Sequence, residues 1–294
     1  MRFGITPVEI SYFAEIAQTG TISDLVNFSF PDLVEHSVNA GFKHIELTLD
    51  MLYMIPGSLS EDKIQALIEL AEKYQITYTA HLPLWSIEPS SPVPQIRKAS
   101  VDVLVESINI VEKLKPLYYV LHATGALASE FSRLSAPPSV KTLINEGFTT
   151  FALESVRELI QRSKIDSRRI AIENVEFEFA YTRKIVDELN TSICFDTGHL
   201  LAGYSGNYKP LQFLEENIDR IVEIHLHDGY RRIKNGRIEI KDHIPLGEGD
   251  LSVCEFLTAL QENNFDGPIV FELSTKAALK SFEYIKSKCN NLQL

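Results

Sequence analysis

Closely spaced cysteine pairs, long apolar runs and an excess of positive charge are all missing from this chain of 294 residues. The three cysteines, Cys194, Cys254 and Cys289, are odd in number, widely spaced and in no CxxC arrangement, which argues against a disulfide framework and for a reducing compartment. The opening stretch MRFGITPVEI lacks the apolar core of a secretion signal, and no uncharged apolar run approaches the ~20 residues that a bilayer crossing needs. A cytoplasmic protein without membrane contact is the expectation. With 28 Lys and Arg against 40 Asp and Glu, the net charge of -12 repels nucleic acid over most of the surface, so nucleic acid is not an expected partner.

What is present is an ordinary globular composition, 45% hydrophobic and 23% charged, at a length suited to one large α/β domain. The pattern along it is a repeated unit. A short apolar strand at residues 2–6 leads into a long oily connection in which residues 9–18 are amphipathic enough for an extra helix. Helices over residues 31–40, 61–74, 95–114, 140–163, 181–189, 210–218, 252–263 and 276–288 then alternate with HIELTLD, ITYTAHLPL, LYYVLHATG, RRIAIENVE, SICFDTGHL, the strand opening at Ile221, and PIVFELS. Eight strands, each followed by a helix and undivided by any linker, predict a single (β/α)8 TIM barrel over residues 1–294. An open doubly wound sheet would carry a glycine-rich phosphate loop after its first strand, and FGITPVEI has none.

Metal-ligand chemistry falls at one place in these units. His81 ends strand three, His122 strand four, Glu173 strand five, Asp196 strand six, His225 strand seven and Glu272 strand eight. Their odd-spaced neighbours Ile172, Phe195, Ile224 and Phe271 are apolar and would face the helices, so the polar side chains point into the barrel mouth. Imidazoles and carboxylates crowded there need a cation, and the natural one is a divalent metal: zinc first, manganese or iron as alternatives. His199, three residues beyond Asp196, and His243, in DHIPLGEGD, join the set.

The phrases FDTGH and HLHD followed by DHIPLGEGD resemble the xylose-isomerase-like barrel superfamily, which holds sugar phosphate isomerases and epimerases and the endonuclease IV type of apurinic endonuclease. The likeness spans the whole barrel. The isomerase pattern implies one metal on Glu173, Asp196, His225 and Glu272, with the two glutamates also moving the proton. The endonuclease pattern implies a trinuclear zinc cluster that adds His81 and His122 for one ion and His199 and His243 for another. That pattern has an aspartate two residues before the last histidine, where this chain has Lys241; Asp242, next to it, would face the other way in an extended segment.

Other residues divide by position. His36 and His44 are read as surface histidines without a role, Glu46 as a buried carboxylate bonded to barrel neighbours, and Cys194 as core. Trp85, His227, Arg231 and Arg232 are candidate substrate contacts, the arginines on a hairpin turning at Asn235-Gly236 that would grip a phosphate. The expectation is a metal-dependent hydrolase of a small phosphoester or phosphodiester, with Glu173, Glu272 and His199 catalytic, and a resemblance to the cobamide-remodelling phosphodiesterase branch implies a corrinoid nucleotide loop as substrate. The alternatives are a metal-dependent sugar or sugar-phosphate isomerase or epimerase, in which a glutamate shuttles a proton, and a barrel that binds a ligand without turning it over.

Overall fold

The structure, a computed structural model, describes residues 1–7, 28–175, 177–290 and 292. Its strands in chain order are β1 (Arg2–Ile5), β2 (His44–Thr48), β3 (Thr77–His81), β4 (Tyr119–Leu121), β5 (Ile170–Glu173), β6 (Ser192–Asp196), β7 (Ile221–His225), β8 (Asp228–Lys234), β9 (Arg237–Ile244) and β10 (Pro268–Phe271). Eight of them form the barrel. They pair in parallel around a closed ring in which β10 joins β7 to β1, while β8 and β9 stand apart as an antiparallel hairpin. The helix expected over residues 9–18 lies outside the described residues. Among the described residues no helix is long and apolar enough to cross a membrane.

The eight expected helices that the structure describes sit within a turn of the positions the sequence pattern predicts, while short helices at Met51–Met54, Ala126–Ser132 and Thr197–Ala202 are additional. In α1 (Phe30–Asn39), Ser29 caps the first turn by accepting from the Asp32 amide, and Phe30, Val34 and Val38 form one buried stripe. The others are α2 (Met51–Met54), α3 (Glu61–Tyr74), α4 (Pro94–Val111), α5 (Ala126–Ser132), α6 (Pro138–Ser163), α7 (Phe179–Leu189), α8 (Thr197–Ala202), α9 (Pro210–Asn217), α10 (Val253–Glu262) and α11 (Thr275–Lys288). The outward strand residues Ile45, Leu47, Ile172, Phe195, Ile224 and Phe271 pack under them as the main core.

Inside the barrel the filling is unusual. Branched aliphatics normally stack there, but the apolar cluster of the interior comprises Val120, Ala171 and Cys194, and polar side chains surround it. His44, expected at the surface, is wholly buried in this layer. Strand β2 turns its first side chain inward, where Thr77 lies 2.8 Å from His44 Nδ1 and Thr79 lies 3.0 Å from Nε2, and Thr79 donates in turn to Glu223 at 2.7 Å. Both ring nitrogens are satisfied by hydroxyls, and burial pushes the His44 pKa down to about 3, with Arg2 adding to it.

The cysteine reading also needs correction. Cys254 in α10 and Cys289 at the end of α11 form a disulfide across 35 residues, which leaves Cys194 as the free thiol. The two helices are neighbours only because β10 returns the chain to the barrel between them, and spacing along the sequence carries no trace of that. The scattered cysteines therefore do not argue for a reducing compartment.

Two measurements follow from these features. Thiol titration of unreduced, denatured protein should find one thiol per chain rather than three, and three would remove the disulfide. For His44, the unfolded chain takes up a proton below about pH 6.5 while the folded ring stays neutral to about pH 3, so its contribution is present above 6.5 and is lost as pH falls through that window. In urea unfolding, the stability difference between wild type and His44→Gln should shrink below pH 6 by about 1.4 kcal/mol per pH unit. A difference that stays constant down to pH 4 would refute the buried neutral ring.

Candidate metal centre

Parallel strands in register deliver their last residues to one rim, and here they deliver donors. Glu173, Asp196, His225 and Glu272 bring one ligand atom each within 4.8 Å of one another; His81, His122 and Glu173 do the same, as do His199, Asp242 and His243. Glu173 joins the first two groups: its Oε2 lies 3.3 Å from His81 Nε2 and 3.0 Å from His122 Nε2, and its Oε1 3.5 Å from His225 Nδ1. Glu272 reaches both His225 Nδ1 at 3.4 Å and His243 Nε2 at 3.2 Å. All eight sequence-predicted ligands thus meet at one place.

Local structure explains how each is held. Asp196 ends β6 and caps α8: its Oδ1 accepts from the His199 amide at 2.6 Å, and that single turn is what carries His199 to the same centre. Asn174 grips the Asp196 backbone from both sides, donating to its carbonyl at 2.9 Å and accepting from its amide at 2.7 Å. His227 Nε2 lies 2.7 Å from Asp196 Oδ2, and a Cβ on Gly198 would stand 2.1 Å from its ring, so the glycine of FDTGH is the space that imidazole occupies. Asp228 accepts from the amides of Gly229, Gly247, Gly249 and Leu251, which folds PLGEGDL into a fixed loop below the hairpin.

Asp242 is the largest correction. Strict alternation would turn it away from His243, but His243 has φ +49° and the β8–β9 register shifts between Asp228 and Tyr230. This bulge adds one residue to β9, and Asp242 swings to the same side, its Oδ2 lying 3.4 Å from His243 Nδ1 and 3.8 Å from His199 Nε2. The displaced aspartate is brought back to the ring by backbone shape.

The electrostatics describe a ring short of positive charge. Burial alone would raise the Glu173 carboxyl, but the His225 and His122 rings outweigh it and hold it well below the usual carboxylate range; Glu272 is held down likewise by His225 and His243. The imidazoles move the other way. Burial opposes the charge on His81, yet its hydrogen bond to Glu173 and the nearby carboxylates lift it to about 10, and Asp196 and Glu173 lift His199 to about 9. Glu173 Oε1, His199 Nδ1 and His225 Nδ1 are buried and have no hydrogen-bond partner, although both nitrogens are within 3.5 Å of that oxygen. Three unpartnered donor atoms converging on one point fit a divalent cation, whose binding would displace the imidazole protons.

Above the ring opens a cavity of about 680 Å³, lined by His81, His122, Glu173, His199, Asp242, His243 and Glu272 on one side and by Leu84, Trp85, Ile87 and Val175 on the other. Trp85 is 40% exposed there, and its amide is fixed by Asp50. Three expected substrate contacts stand elsewhere. His227 is fully buried behind Asp196, stacked 4.1 Å from the His243 ring. Arg231 and Arg232 line a separate cavity beside Leu200, Tyr208 and Phe256, and Arg232 pairs with Asp250. Both arginines are exposed and line that cavity instead of the mouth.

Residues 34–288 match the family described as the xylose isomerase-like TIM barrel. An uncharacterized protein of Methanocaldococcus jannaschii, MJ1311, is 27% identical over 78% of this chain and 75% of its own length. A probable endonuclease 4 of Persephonella marina is 26% identical over 62% of this chain and 64% of its own. Among solved structures, a D-tagatose 3-epimerase-like protein superposes with a TM-score of 0.69 at 24% identity, covering 98% of this chain and 96% of that one. With the barrel closed, its donors gathered at the strand ends and most of its length matched, this chain belongs to the xylose isomerase-like TIM barrel family.

Proposed function

We propose that this protein is a metal-dependent isomerase or epimerase of a small sugar-type substrate, acting at the Glu173, Asp196, His225 and Glu272 centre. The observation that carries the reading is the placement of the two glutamates. Both line the cavity, both are held ionised, and His225 Nδ1 lies between them, 3.5 Å from Glu173 Oε1 and 3.4 Å from Glu272 Oε2. A divalent ion held there would polarise a carbonyl and its neighbouring hydroxyl, which acidifies the carbon between them. One glutamate would take the proton from that carbon, and the other, having first taken up a proton from water, would return it to the opposite face, so each turnover exchanges their protonation states. The likeness to a D-tagatose 3-epimerase-like structure supports the reading. So does the lack of a protein cation: no Lys or Arg is among the described residues lining the cavity, and residues 8–27 contain neither. Trp85 and the apolar wall would take the carbon face of the substrate.

A second reading is hydrolysis of a small phosphoester or phosphodiester, a corrinoid nucleotide loop among the candidates, and a specific observation favours it. The His81, His122, Glu173 and His199, Asp242, His243 groups exceed what proton transfer needs, whereas in-line phosphoryl displacement gains from ions about 3.5–4 Å apart. The likeness to a probable endonuclease 4 points the same way.

Metal dependence is common to both readings; deuterium exchange and the His122 variant separate them. Chelator-treated protein should lose all activity and regain it with zinc or manganese. Ketohexoses incubated with reconstituted enzyme in deuterated water should gain deuterium at carbon, and Glu272→Gln should slow this about 10²–10⁴-fold. His122→Ala should leave the exchange within about tenfold of wild type, because that ring is outside the proposed centre. Cleavage of phosphodiesters abolished by His122→Ala, together with no deuterium in any sugar, would establish hydrolysis in place of epimerisation.

A further inference from the structure

The donor ring has a support that the proposed chemistry does not use. Glu46 is fully buried on β2, beneath the ring, and holds two partners: the Thr6 hydroxyl donates to its Oε1 at 2.9 Å, and His225 Nε2 lies 3.2 Å from its Oε2. The other nitrogen of the same ring, Nδ1, is buried with no hydrogen-bond partner and faces Glu173 Oε1 and Glu272 Oε2. A neutral imidazole carries one proton, on one nitrogen or the other. Nε2 meets the Glu46 carboxylate in hydrogen-bond geometry, whereas Nδ1 meets neither Glu173 nor Glu272 so, which places the proton on Nε2 and the lone pair on Nδ1.

We infer that Glu46 is a positioning residue that fixes the Nε2–H tautomer of His225 and aims its Nδ1 lone pair into the metal centre. No neighbour duplicates this. Glu223, the other buried carboxylate of the layer, has its Oε1 engaged by Thr79 and makes no hydrogen bond to His225. Thr6 fixes the carboxylate in turn, so the ring's orientation is set by a chain of contacts from the end of β1 through β2 to β7, reaching across the barrel interior. Ligand histidines oriented by a carboxylate on the far nitrogen gain both alignment and basicity, and losing that partner costs 10–100-fold in metal affinity. The inference requires only that an ion binds through His225 and holds for either reaction.

The test is zinc affinity of metal-free wild type, Glu46→Gln, Glu46→Ala and Thr6→Val, measured against a competing chelator. Glutamine keeps an acceptor oxygen for His225 and turns its amide toward Thr6, so Glu46→Gln should bind within about threefold of wild type, while Glu46→Ala should bind about 10–100-fold more weakly. Thr6→Val, which frees the carboxylate without touching the ring, should fall between them. Nitrogen-15 spectra of the zinc-loaded forms should place the His225 proton on Nε2 in wild type and Glu46→Gln. Wild-type affinity in Glu46→Ala, or equal losses in both Glu46 variants, would overturn the inference; the second result would assign Glu46 a charge effect instead. Should Glu46→Ala not fold, wild-type affinity in Thr6→Val or a proton on Nδ1 in wild type overturns it equally. Wild type that binds no ion sinks this inference and the metal reading together, whereas tight binding indifferent to residue 46 sinks this one alone.

Discussion

Carboxylates withdrawn from water must be neutralised, and this barrel gathers four at one rim, Glu173 and Asp196 buried, Asp242 and Glu272 partly so. Everything nearby is arranged so that the histidines serving them cannot leave. Asp196 spends one oxygen on capping a helix and the other on His227, Asn174 clamps its backbone, and Asp228 pins the loop that follows the hairpin through three of its amides. The interior beneath is polar because it supports these groups, where an aliphatic filling would leave their inner atoms unpaired.

Much of this was legible because a parallel barrel converts sequence spacing into position with few intermediaries. Once His81, Glu173, Asp196 and His225 are read as strand ends, register alone brings them together, and period-two alternation tells which neighbours face the helices. What escaped the sequence depends on pairing between distant segments. The placement of Arg231 and Arg232 against a separate cavity depends on how the hairpin packs beside Leu200 and Phe256, and the Cys254–Cys289 link on two helices separated by a strand. His44 was misplaced because the residue opening a strand was taken for surface, although Thr77 and Thr79 on β3 offered the hydroxyls that bury it. Asp242 failed for a sharper reason: alternation was applied through a bulge that only the β8–β9 register reveals.

The charge of the mouth depends on its ions in a way that bears on substrate choice. With neutral imidazoles, four carboxylates and one divalent ion leave two negative charges, which suits an uncharged polyol and repels a phosphate. Three ions would reverse the sign and draw anions in. No lysine or arginine is among the described residues lining the cavity, so under the proposed function the charge of the mouth would follow its ion occupancy.

Barrel closure also imposes an order of events on the folding chain. His81, His122 and Glu173 lie in the first five strands and become neighbours once β3, β4 and β5 have paired. Glu272, by contrast, follows β10, the strand that seals the gap between β7 and β1. A half-made barrel can therefore hold the first donor group but not the second, whose last member, Glu272, arrives with the strand that joins β7 to β1. If β3, β4 and β5 pair before the barrel closes, an ion held by His81, His122 and Glu173 would act as a template for the strands that follow.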